Sequence, residues 1–125
     1  CRRQRQMCIR DRYITFLTNK GFYAGQRFIS SERIDEFTST QASLSKRGLG
    51  FDKKSRSGFS SAGTRMSLES FGHTGFTGTS FWVDPEHSLG VIVLTNRIHP
   101  YRSYGGRISR IRAAVADAVY ESMEQ

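Results

Sequence analysis

Phe71-Gly72-His73-Thr74-Gly75-Phe76-Thr77-Gly78-Thr79-Ser80-Phe81-Trp82-Val83-Asp84-Pro85-Glu86-His87-Ser88-Leu89-Gly90-Val91-Ile92-Val93-Leu94-Thr95 is the best-patterned stretch of the chain. Phe71 to Thr74 reads as a short strand. Gly75 and Gly78 mark a tight bend or bulge. Thr79 to Val83 is rich in β-branched and aromatic residues and reads as a second strand. Asp84-Pro85-Glu86-His87 has Pro in the second turn position, which suits a type I turn. Leu89 to Thr95 is a continuous apolar run, which predicts a strand at the centre of a sheet covered on both faces. Together these segments predict an antiparallel hairpin.

On the C-terminal side, Ile98 to Gly106 reads as a loop containing Pro100 and paired glycines. A helix is expected from about Arg107 to Met123. Ile108, Ile111, Val115, Val119 and Met123 recur at steps of three and four and form its apolar stripe, with Arg110, Arg112, Asp117 and Glu121 on other faces. On the N-terminal side, Asp52 to Ser70 is rich in Ser, Gly and Lys and reads as an exposed loop. Gly48-Leu49-Gly50-Phe51 reads as a short strand, and 38–47 as a polar loop. Ser30 or Ser31 caps a helix that ends near Thr38 and buries Ile34 and Phe37; no capping box is present. Phe22 to Ile29 reads as a short turn between apolar pairs. Tyr13, Ile14, Phe16 and Leu17 read as the last turns of an earlier helix, stopped at Asn19-Lys20-Gly21 with Gly21 free to take the left-handed cap conformation. An antiparallel sheet closed by a C-terminal helix is an α+β architecture.

The chain has 125 residues, enough for one domain, with 37% apolar and 24% charged residues, which excludes a disordered tail. No run of about 18 apolar residues exists, so no transmembrane segment is expected. The formal charge is +8. Five of the 19 basic residues and one of the 11 acidic ones lie in residues 1–12, CRRQRQMCIRDR, together with both cysteines. No apolar period, cap or turn organises this dodecamer. It reads as translated sequencing-adapter sequence joined to a broken chain end; the alternative is a disordered basic arm that binds phosphate. On the first reading Cys1 and Cys8 say nothing of redox compartment, and residues 13–125 are the C-terminal part of a longer domain.

The chemistry concentrates at His73, Thr74 and Gly75. Flanking glycines let a ligand approach the strand backbone, and an imidazole with a hydroxyl can bind a carboxylate or carbonyl. The bland reading is a Gly-rich bulge whose histidine only hydrogen-bonds. Phe71 to Thr79, then Phe81-Trp82-Val83-Asp84-Pro85, then Val91 to Arg97 with His99-Pro100, resemble the C-terminal part of the serine β-lactamase-related family. That family includes class C β-lactamases, D-alanyl-D-alanine peptidases, D-aminopeptidases and esterases. Tyr13 to Phe37 looks like its helix, "N-x-G-x-Y-x-G" turn and following helix, and Gly48 to Phe51 like its "GLGF" strand. The string FGHTGFTGT with a WVDP turn is similar to serine-hydrolase domains fused behind glycosidase domains, so an upstream fusion is one expectation.

The resemblance implies a Ser nucleophile in S-x-x-K, a Tyr in Y-x-N, and a third motif, K-T-G or H-x-G. His73-Thr74-Gly75 matches the third. It implies that His73 and Thr74 contact the substrate, and that the backbone N–H of Phe76 is one of two oxyanion donors, the other coming from the nucleophile. Histidine in place of lysine carries no fixed charge near neutrality, which tilts the substrate towards an ester, an amide or a D-amino-acid peptide. No cofactor is implied, and export to the periplasm or cell surface is suggested by resemblance alone. Ser43-Leu44-Ser45-Lys46 is formally S-x-x-K, but with 16 serines and four lysines such a string arises by chance, and it sits in a polar loop. Tyr-x-Asn is absent. The expectation is a serine-hydrolase piece that is inactive alone; the alternative is a non-catalytic ligand- or peptidoglycan-binding relative.

The other candidates read blandly. His73, His87 and His99 lack metal-ligand spacing, so no metal site is expected. His87 reads as solvated, Asp84 as a turn residue, Trp82 as packing under the hairpin, and Asn96-Arg97 as an anchor for the following loop. Lys46, Arg47, Lys53, Lys54 and Arg56 read as a solvated loop face with no interleaved aromatic platform, so no nucleic-acid partner is expected.

Overall fold

A computed structural model describes residues 2–42, 45–102 and 105–124, with the side chains of 2–7 and 105 left out. The elements in chain order are α1 (Arg2–Thr18), β1 (Phe22–Tyr23), β2 (Gln26–Arg27), α2 (Ser31–Thr38), β3 (Asp52–Lys53), β4 (Phe71–Thr74), β5 (Ser80–Asp84), β6 (Leu89–Val93) and α3 (Gly105–Met123). β3, β4, β5 and β6 form an antiparallel sheet in that order, and β1 and β2 a separate small hairpin. The α+β architecture with a closing helix is therefore present.

Alternation along the strands gives the sheet two buried faces. Trp82, Val91 and Val93 pack with Ala62 and Met66 against Ala116 and Tyr120 of α3. Phe71 and Val83 pack on the other face with Leu17 of α1 and Ile34 of α2. Phe51 joins this second core edge-on to Phe71, ring centroids 5.3 Å apart. The continuous apolar run at Leu89 to Val93 follows from helices on both faces. Among the described strands, however, β6 is the outer one and β5 lies inside, so the expected central position is corrected. Gly90 lies under α1: a Cβ there would come 2.3 Å from Ile14 Cγ2.

Local signals set most of the other boundaries. α1 stops where Lys20 and Gly21 take positive φ (48° and 87°) and the Gly21 N–H donates to Phe16 O at 2.9 Å. Tyr13 to Leu17 are its last turns, as expected, but it also takes in the dodecamer that showed no organising pattern, running back to Arg2 through Arg, Gln and Met, all good helix formers. Ala24 and Gly25 both have positive φ, as a two-residue hairpin turn requires. Ser30 caps α2 by accepting from the Arg33 N–H. Phe37 is exposed, contrary to expectation; Thr38, one turn after Ile34, is buried instead, its hydroxyl donating to Ile34 O at 2.8 Å.

Two longer segments depart from the sequence reading. Gly48 to Phe51 is a turn, closed by Gly48 N–H to Phe51 O at 2.9 Å, and the strand follows it at Asp52. Residues 52–70 are not an exposed loop: Ala62, Met66 and Ser70 are fully or almost fully buried. Side chains hold the segment in place. Asp117 of α3 accepts from the N–H groups of Thr64 and Arg65 at 2.7 and 3.0 Å, and Lys54 Nζ donates to Thr64 O and Met66 O. The α3 face is also corrected. The buried positions are Ile108, Arg112, Ala116 and Tyr120, at steps of four, while Ile111, Val115 and Met123 are 48%, 37% and 56% exposed. Apolar spacing alone placed the stripe one residue away from this face, because Arg112, Asp117 and Tyr120 reach polar partners on the sheet and on 64–84.

Candidate active site

β4 carries the Gly72-His73-Thr74 run into Gly75. On its inner side every residue pairs with β5, His73 facing Phe81 and Thr74 facing Ser80. On its outer side β3 pairs only with Phe71 and Gly72. The short β3 therefore leaves the backbone edge of His73 and Thr74 open to a ligand. Gly72 must be glycine, since a Cβ would come 2.1 Å from Phe81 O.

The loop after the strand is tied down from several directions. The Gly75 N–H donates to Thr79 O at 2.7 Å, and the Gly78 N–H to Gly75 O at 3.2 Å. Thr95 Oγ1 donates to Gly78 O at 2.8 Å. Arg97 donates its backbone N–H to Thr77 O at 2.8 Å and its Nε to Phe76 O, and its guanidinium lies 4.4 Å from the Phe76 ring centroid. Arg112 reaches in from α3 and donates from Nη2 to both Gly75 O and Thr79 O at 2.8 Å. Burial pushes the Arg112 pKa down, and the nearby Arg97 charge adds to this.

His73 is exposed, with Nδ1 3.0 Å from Thr74 O, donating if that nitrogen carries the proton. Thr74 borders two cavities. One, of about 320 Å³, is lined by His73, Gly75, Phe81 and Tyr13. The other, of about 280 Å³, is lined by Trp82, Ser109 and Arg112. Ser80 Oγ, Trp82 Nε1 and Arg112 Nε are buried without a hydrogen-bond partner among the described residues. The structure thus places His73 and Thr74 on an open strand edge and Gly75 and Phe76 in the loop that follows it. Ser43 and Leu44 of the Ser-x-x-Lys string lie outside the described residues. Among the described residues no cluster of His, Cys, Asp and Glu could hold a metal ion, and no helix is long and apolar enough to cross a membrane.

The Beta-lactamase family profile matches residues 11–116. The chain belongs to the β-lactamase family. It is 31% identical over 127 aligned positions, covering 86% of this chain, to an N-acetylmuramyl-L-alanine amidase of Bacillus subtilis, of which it spans 27%. It is 30% identical over 84 positions, 66% of the chain, to a putative D-alanyl-D-alanine carboxypeptidase of Escherichia coli O157:H7, of which it spans 19%. The crystal structure of a β-lactamase from Mycobacterium bovis superposes with a TM-score of 0.68 at 24% identity, over 88% of this chain and 41% of that one, a likeness that speaks for the fold. These relatives place the chain among the serine β-lactamase-related hydrolases.

Several side chains do more than their sequence context indicates. Asp84 is not only a turn residue. It is fully buried and accepts from the Ser67 N–H and hydroxyl, both at 2.7 Å, and from the Tyr120 hydroxyl. His87 is not simply solvated: its Nδ1 lies 3.0 Å from Asp84 Oδ2, and its ring stands edge-on to Tyr120. Arg97 anchors the loop before β5 rather than only the one that follows it. Trp82 is buried in the core, as expected. Arg112 had one faint signal, its place in the four-residue series 108, 112, 116, 120.

Proposed function

We propose that residues 13–125 supply the third motif of a serine hydrolase that works through an acyl-enzyme, with the nucleophile borne by chain outside this segment. His73 and Thr74 contact the substrate along the open edge of β4, and the Phe76 N–H stabilises the oxyanion. The substrate is an ester, an amide or a D-amino-acid peptide. One observation carries the reading: the pairing of β3 with β4 ends at Gly72, so His73 and Thr74 sit on an exposed strand edge with the following loop fixed by two arginines. The amidase and carboxypeptidase names of the relatives support an amide or peptide substrate. That the chain spans only 19–27% of the length of those relatives supports a nucleophile elsewhere. Residues 1–12 are foreign to the domain on this reading.

The test has two parts. The 125-residue chain is incubated with a chromogenic ester, a chromogenic β-lactam and a fluorophosphonate; no turnover and no serine adduct are expected, and a labelled Ser43 would overturn the proposal. The source DNA is then resequenced across the junction before Tyr13. A frame entering S-x-x-K and Y-x-N is expected. In that longer protein His73→Ala should lower kcat/KM at least about tenfold, and an unchanged value would remove the motif from the site.

A further inference from the structure

Arg112 is buried, only 6% exposed, and no carboxylate pairs with it among the described residues. Two backbone carbonyls, Gly75 O and Thr79 O, carry its compensation. An uncompensated buried guanidinium is costly, and joining α3 to the hairpin could be achieved with apolar residues. The identity of the bonded carbonyls is the informative part. Gly75 O and the Phe76 N–H belong to one planar trans peptide, so they point in opposite directions. The N–H of Gly75 donates to Thr79 O and its C=O accepts from the Gly78 N–H, both within the loop that leads into β5. The Phe76 N–H, trans to that carbonyl, therefore points away from Arg112 and from the Gly78 N–H.

We propose that Arg112 is a positioning residue for the oxyanion donor, its guanidinium on Gly75 O fixing and polarising the Gly75–Phe76 peptide. A charge bonded to a carbonyl in a low-dielectric site draws electron density through the amide and strengthens its N–H as a donor. Arg97 fixes the next peptide, through Phe76 O. The inference rests on the reading of Phe76 as the oxyanion donor.

The first measurement is base-catalysed hydrogen exchange at the Phe76 amide, by NMR on the whole 125-residue chain. A polarised N–H is more acidic and exchanges faster. Arg112→Met should slow exchange at Phe76 by roughly tenfold, one unit of amide acidity, and Arg112→Lys should recover part of the rate. A merely structural role moves exchange the opposite way, because loosening speeds it. An unchanged or faster rate in Arg112→Met overturns the proposal, and if that variant does not fold, Arg112→Gln reads the same quantity. In the longer protein with its nucleophile, Arg112→Met should lower kcat about 10- to 100-fold with KM nearly unchanged; an unchanged kcat while Phe76→Pro is folded and inactive overturns it as well. Failure of the oxyanion reading looks different: a folded Phe76→Pro keeps its kcat while Arg112→Met still slows exchange.

Discussion

Replacing Asp84 by alanine should destabilise the domain severely, although Asp84 lies outside the candidate site. Its carboxylate is fully buried and accepts from the Ser67 N–H and hydroxyl, the Tyr120 hydroxyl and His87. Alanine strands two of these donors, the Ser67 N–H and the Tyr120 hydroxyl, away from bulk water. At roughly 1–3 kcal/mol for each stranded donor, the loss is about 4 kcal/mol, a large part of a typical domain's 5–15 kcal/mol or so. Tyr120→Phe removes one donor and leaves the carboxylate its others, so it should cost only about 1 kcal/mol. The double variant should lose less than the sum, since no stranded hydroxyl remains. Urea unfolding followed by far-UV circular dichroism and Trp82 fluorescence reads all three. A loss below about 1 kcal/mol in Asp84→Ala, or strict additivity with Tyr120→Phe, would refute the reasoning. The pH dependence gives a second check. Burial alone would raise the Asp84 pKa, but the bonds from Ser67, Tyr120 and His87 outweigh it and hold the carboxyl well below the usual carboxylate range. The unfolded chain therefore takes up this proton first. The stabilisation is complete above about pH 4 and drains away as the pH falls further, and Asp84→Asn should flatten that fall.

The orientation of α3 predicts unequal costs for neighbouring isoleucines: Ile108→Ala should lose about 3 kcal/mol and Ile111→Ser less than about 0.5 kcal/mol, measured by urea melts. Gly72→Ala would press a Cβ to 2.1 Å from Phe81 O and 2.9 Å from Trp82 Cα, both backbone, whereas Gly90→Ala meets the end of the Ile14 side chain. The first should cost more than about 2 kcal/mol and the second about 1, and equal melting temperatures would contradict this. Asp117→Ala should speed hydrogen exchange at Thr64 and Arg65 while leaving exchange in β5 unchanged.

The hairpin was legible because its information is local. Phe71 to Thr74, the Asp84-Pro85 turn and the stop at Gly21 are each encoded by residues adjacent in the chain. The position of His73 and Thr74 at the end of a strand was visible for the same reason. The segment 52–70 was opaque because its order comes from Asp84 and Asp117, 14 or more residues beyond it, and a run of Ser and Gly carries no period. The face of α3 was misassigned because Ile111 and Val115 satisfy helical spacing as well as Ile108 and Ala116 do. Only the polar partners of Arg112 and Tyr120 decide between the two rotations. The outer position of β6 could not be read from Leu89 to Val93, since apolar side chains on both faces report the layers above and below a strand and not its neighbours in the sheet.

Both arginines that fix the 75–79 loop follow it in the chain, by about 20 and 35 residues. A ribosome delivers the complete His73-Thr74-Gly75 motif before either exists. The nascent hairpin at that moment holds the right side chains on an unfastened peptide. Vectorial synthesis therefore fastens this loop late, only once α3 has emerged and folded back onto the sheet. A polypeptide halted after β6 would display the motif and lack the geometry.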